Sequence, residues 1–172
     1  MGQATYRVRQ FFAALTAPLV RGDAAVVTQV LSPAQQALFY RMSAADRRHA
    51  LRVYQALAEQ GARPEDLLVA ALLHDVGKAA GPPPLWVRVA GVLLERWAPG
   101  WLERLGAGNP QGWRRPFVLY RQHADIGAEW AAQAGCSPLT VALIRRHHEP
   151  PGPPKTEEDR LLALLREADG QA

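Results

Sequence analysis

The run Leu67-Leu68-Val69-Ala70-Ala71-Leu72-Leu73-His74-Asp75-Val76-Gly77-Lys78 sets seven apolar residues in succession and then a histidine and an aspartate. Pro64 opens it, and its length suits a helix. A helix that is apolar all round is a central, buried one. A histidine and a carboxylate at its end are costly to bury unless something compensates them. A divalent metal ion compensates both, because imidazole and carboxylate are its natural ligands. Gly77 reads as the end of this helix.

Outward from this run the local signals are helical. Ser32-Pro33 reads as an N-cap with proline in the first turn, starting a helix that runs to Met42. Ser43 caps the next helix, with Asp46 three residues on as a variant capping box. There Ala50, Val53, Tyr54 and Leu57 fall at i, i+3, i+4, i+7, and Gly61 closes it. Pro82 to Pro84 form a break, Leu85 to Trp97 reads as a helix, and the Gly- and Pro-rich positions from Pro99 to Gly112 read as loop. Phe117 to Gln133 reads as helix with a break near Asp125, ended by Gly135. Ser137-Pro138 starts a helix to His148. A proline-rich loop follows from Glu149 to Lys155, then a last helix capped by Thr156 with Asp159. No alternating stretch is long enough for a strand. The expected fold is all-α, a single helical bundle. Trp86, Trp97, Trp101, Trp113 and Trp130 read as core aromatics.

Length and composition narrow the function classes. The 172 residues, 48% hydrophobic and 21% charged, suit one soluble domain with a real core. Apolar runs are too short to span a bilayer, no signal peptide is read at the N-terminus, and the lone Cys136 excludes an internal disulfide. A cytoplasmic protein without membrane contact is expected. The formal charge of +4, carried mostly by arginine, reads first as a solvated surface. No motif supports specific nucleic-acid binding.

The five histidines are His49, His74, His123, His147 and His148, each on or at the end of an expected helix. Taken singly, His147-His148 reads equally well as a helix C-cap and Asp169 as a helix terminus. Together with Arg48-His49-Ala50, the string His74-Asp75-Val76-Gly77-Lys78 and Leu164-Leu165-Arg166-Glu167-Ala168-Asp169, they resemble the HD superfamily of metal-dependent phosphohydrolases. The resemblance implies that His49, His74, Asp75 and Asp169 are metal ligands, with Asp159 a rival to Asp169. It places the HD domain at residues 43–172, with the helices of residues 1–42 packed on its core.

Two further segments, His123-Ala124-Asp125-Ile126-Gly127-Ala128-Glu129 and Leu143-Ile144-Arg145-Arg146-His147-His148-Glu149, resemble the two-metal members. These are the HD-GYP cyclic dinucleotide phosphodiesterases and the small hydrolases of diadenosine polyphosphates. That likeness implies two divalent ions (iron, manganese, zinc, cobalt or nickel) bridged by Asp75. His123 and His147 or His148 would serve the second ion. The Gly-Tyr-Pro signature is missing, since Pro150-Pro151-Gly152-Pro153-Pro154-Lys155 follows instead. Ala45 stands where some members carry a further glutamate, so no third ion is expected.

The implied function is hydrolysis of a phosphate ester or anhydride in a small phosphorylated substrate, a nucleotide, by a metal-activated water. Asp75 and Lys78 would be catalytic. Lys78, Arg145, Arg146 and Arg121 are candidate phosphate contacts, although only one of the adjacent Arg145 and Arg146 can face the site. The alternatives are a one-metal nucleotidase using His49, His74, Asp75 and Asp169, and a non-catalytic nucleotide sensor or interaction module.

Overall fold

The computed structural model describes residues 21–62, 64–81, 115–150 and 152–172, with single positions between 93 and 104. Among them are seven α-helices, one 3₁₀ helix and no strand: α1 (Arg21–Val30), α2 (Pro33–Arg41), α3 (Ala44–Glu59), α4 (Glu65–Leu73), a 3₁₀ turn (Val76–Ala80), α5 (Arg115–Gln133), α6 (Pro138–Arg146) and α7 (Glu157–Gln171). The all-α expectation holds. No helix among the described residues is long and apolar enough to cross a membrane.

The helix starts follow from side-chain caps. Ser32 accepts from the Gln35 N–H, and Gln35 reaches back to the Ser32 N–H. Ser43 accepts from the Asp46 N–H, and its hydroxyl donates to the Asp46 carboxylate at 2.5 Å. Thr156 and Asp159 form a full capping box on α7. Such caps are worth about 1 kcal/mol each, because they satisfy backbone donors that a helix leaves unpaired. Gly61 and Gly135 end α3 and α5 in the left-handed region, at φ +79° and +78°.

Helix α4 is the hub. Leu67, Val69, Ala70, Ala71, Leu72 and Leu73 are all buried, and α1, α2, α3, α6 and α7 pack around them. Burying a leucine side chain contributes about 2 kcal/mol, so this helix is a large part of what holds the bundle together. Val27, Leu31, Leu38, Phe39 and Met42 join the same core.

Several expectations need correction. Helix α4 stops at Leu73 with His74 as its C-cap, not at Gly77. Gly77 lies in the 3₁₀ turn, and a Cβ there would overlap the His123 carbonyl oxygen and sit 2.7 Å from the Gly127 nitrogen. The glycine is needed for close approach to α5, not for chain reversal. Helix α5 runs unbroken through Asp125, and Gly127 lies inside it, where its missing side chain lets the helix backbone meet Gly77. Trp97 and Trp101 are exposed at 76% and 62%, not core; aromatic content carries no information on which way a segment faces. Trp130 packs partly buried against the core, with the Arg41 guanidinium 4.0 Å above its ring. Trp86, Trp113 and the expected helix start at Leu85 lie outside the described residues.

The two kinds of glycine separate in a stability test. Gly61→Ala meets no neighbour and carries only the left-handed backbone cost of about 1 kcal/mol. Gly77→Ala forces backbone apart and is expected to cost more, about 3 kcal/mol. Equal urea midpoints for the two variants would contradict the close-approach account.

Candidate metal centre

The five histidines, with Asp75 and Asp169, gather at one end of the hub. His74 caps α4, and Asp75 begins the 3₁₀ turn. His49 comes from α3, His123 from α5, His147 and His148 from the end of α6, and Asp169 from α7. His74, Asp75, His123 and His147 are buried, although all four carry polar or ionic atoms.

The donor atoms form two groups, and within each they lie within 4.8 Å of one another. One holds His49, His74 and Asp169; the other holds Asp75, His123, His147 and His148. His49 Nε2 lies 2.7 Å from Asp169 Oδ1, and His74 Nε2 lies 3.5 Å from the same oxygen. Asp75 stands between the groups. Its Oδ2 is 3.6 Å from His74 Nε2, and its Oδ1 is 3.6 Å from His123 Nε2 and 3.8 Å from His147 Nε2. His148 is exposed, yet its Nε2 turns inward to 2.9 Å from His123 Nε2.

The tautomers are fixed by backbone. His74 Nδ1 donates to the Ala71 carbonyl at 2.9 Å, and His147 Nδ1 donates to the Ile144 carbonyl at 2.6 Å. In the neutral ring each Nε2 then carries a lone pair. His74 Nε2, His147 Nε2 and Asp75 Oδ1 are buried and have no hydrogen-bond partner among the described residues. Buried polar atoms are almost always paired. Orphans that converge, with the other ring nitrogen anchored, are the arrangement that metal-bound histidines show. The residues present therefore fit divalent transition-metal ions, for which mixed imidazole and carboxylate donors are suited.

Electrostatics agree with a site poised to donate. Burial raises the Asp75 carboxyl, but His74, Lys78, His123 and His147 outweigh it and hold it well below the usual range. Asp169 is likewise depressed: burial raises it, and the His49 and His74 imidazoles beside it lower it more. Burial, with His74 and His123 beside it, pushes His147 down to about 3; burial and His147 push His148 down to about 4. His74 moves the other way, since Asp75 and Asp169 overcome the effect of its burial.

Not every candidate reaches this centre. Lys78 does, with its ammonium 2.5 Å from Asp75 Oδ2. Arg146 is committed elsewhere: it bonds Glu149 at 2.9 Å, Asp159 at 3.1 Å, and Glu158. Those carboxylates raise its pKa, with Glu158 foremost. Asp159, the rival to Asp169, serves as this partner and as a cap on α7, not with the histidines. Arg145 is half exposed and lies 3.5 Å from Asp125. Arg121 is exposed. Sequence reasoning missed the Ala71 and Ile144 carbonyls, although a carbonyl three residues before a helix-end histidine is a signal that could have named them. It also missed Arg52, one turn after His49, which bonds the Ala172 carbonyl at 2.7 Å and ties α3 to the chain end beyond α7.

A family model described as HD domain matches residues 47–170. No curated protein and no solved structure matches the chain.

The shifts give a pH test on chelator-treated protein. A histidine with a depressed folded pKa stays neutral in the fold while the unfolded chain takes up protons, so its contribution is lost as pH falls from about 6.5 toward its folded value. His147 and His148 act this way, and His74, being raised, opposes them. The urea midpoint is expected to be lower at about pH 5 than at about pH 7, and His148→Gln should narrow the difference. A midpoint that rises on acidification would contradict this.

Proposed function

Because the chain belongs to the HD domain family, whose members are in general metal-dependent phosphohydrolases, we propose that it hydrolyses a phosphate ester or anhydride of a small nucleotide at a two-ion centre. The observation that carries this reading is the division of Asp75: Oδ2 faces the His49–His74–Asp169 group and Oδ1 faces His123 and His147. A carboxylate so placed can bridge two ions, which a one-ion site does not require.

His49, His74 and Asp169 would hold one ion; His123, His147 and His148 would hold the other, with Asp75 shared. Divalent ions held there lower the pKa of water and offset the charge that builds at phosphorus. The chain supplies the rest. Lys78 fixes the Asp75 carboxylate through Oδ2 and keeps its other N–H donors for a phosphate oxygen, its side chain being partly exposed. Arg145 is the better placed of the two adjacent arginines for a phosphate contact, since Arg146 is held by three carboxylates. Arg121 remains an outer candidate. The same donor sets would let a nucleotide sensor bind without turnover, and assay of hydrolysis separates that case.

Metal per chain and phosphodiester and nucleotide hydrolysis, measured on wild type and on His123→Ala, test the reading. About two ions falling to about one, with activity reduced at least about a hundredfold, is the expected result. One ion unaffected by the substitution would favour the one-metal nucleotidase. A wild type that binds ions but turns over no phosphate substrate would leave a sensor.

A further inference from the structure

Helices α4 and α6 are built to the same length. Each has nine residues, Glu65–Leu73 and Pro138–Arg146, and each ends in a histidine C-cap, His74 and His147. Each histidine donates Nδ1 to the carbonyl three residues back and leaves Nε2 without a hydrogen-bond partner among the described residues. The two helices pack side by side and run parallel. Their first turns meet at Asp66, and their last turns meet where the His74 and His147 rings lie 5.2 Å apart between centroids.

The meeting at the start is specific. Asp66 Oδ1 accepts from the Thr140 hydroxyl at 2.9 Å and from the Ser137 hydroxyl. Ser137 is also the N-cap of α6, accepting from the Thr140 N–H at 3.0 Å. Thr140 is buried. One carboxylate on α4 therefore grips both the cap and the first turn of α6. From that grip each helix rises about 1.5 Å per residue, so equal lengths deliver the two histidines to one level, roughly 12 Å away. A slip of one residue would move His147 by about 1.5 Å and turn it by about 100°, enough to take Nε2 away from Asp75.

The geometry points to Asp66 as a positioning residue: through Ser137 and Thr140 it sets the axial register of α6 against α4, and so decides whether His147 and His148 converge with Asp75 and His123. This rests on the two-ion reading for its consequence, but the register itself is a property of the protein without metal. The His49–His74–Asp169 group takes nothing from α6 and serves as an internal control.

The test uses the full chain with cobalt(II) alone as probe, titrated by absorption and calorimetry into wild type, Asp66→Ala, Asp66→Asn and Thr140→Val. The proximity of the His74 and His147 ring protons is followed by nuclear Overhauser effects in metal-free samples. Expected in Asp66→Ala is a second-site affinity weakened about tenfold or more, a first site unchanged, and no Overhauser effect between the two rings. Asp66→Asn, which still offers an acceptor, should restore both the affinity and the Overhauser effect. A mere loss of stability would not weaken one site selectively. Two wild-type affinities in Asp66→Ala would overturn the inference while leaving the two-ion reading intact. A wild type binding fewer than two ions would sink that reading, and the Overhauser effect would then decide alone: its persistence in Asp66→Ala overturns the register role. If Asp66→Ala fails to fold, Thr140→Val, which removes a hydroxyl at nearly constant shape, decides by the same measurements.

Discussion

Asp75 is a carboxylate almost wholly removed from water, and the rest of the molecule is arranged around that constraint. A buried charge without compensation would cost several kcal/mol. Here it faces His74, His123 and His147 and is held by Lys78. Those partners come from different helices, so the bundle can bury Asp75 only when α4, α5 and α6 are all in place. Folding and assembly of the site are the same event.

The packing shows how that convergence is reached. The hub helix buries apolar bulk along its length and delivers its histidine only at the cap. The 3₁₀ turn that follows must lie against α5, and two glycines, Gly77 and Gly127, let backbone meet backbone. This meeting sits at the level of His123, whose carbonyl is the atom Gly77 faces. Close approach and ligand delivery are thus one geometric fact. At the other side, Arg146 and its three carboxylates tie the end of α6 to the start of α7.

Much of this was legible in the sequence. The caps at Ser32, Ser43 and Thr156 and the terminating glycines 61 and 135 announce themselves because each satisfies a local backbone need. The apolar run from Leu67 to Leu73 announces a buried helix because its composition leaves no face for water. The candidate ligands were legible as residue types, and the structure brings together all of them except Asp159, the rival to Asp169. What was not legible depends on three-dimensional neighbours. Gly77 looks like a helix stop until α5 is seen against it. Arg146 looks like a phosphate grip until Glu149, Glu158 and Asp159 surround it. Trp97 and Trp101 look like core, yet both stand exposed. A pairing between residues 74 positions apart, Asp66 with Thr140, has no trace in local pattern at all.

The backbone-anchored rings of His74 and His147 have a kinetic side. Their orientation is settled by carbonyls of their own helices, so it is established as soon as the helices form. An arriving ion meets imidazoles that need neither to rotate nor to change tautomer. The slow step left to it would be shedding its own hydration shell. Ions that exchange water sluggishly would therefore be handicapped at this cradle by their own chemistry, and discrimination among metals would gain a component of rate alongside that of affinity.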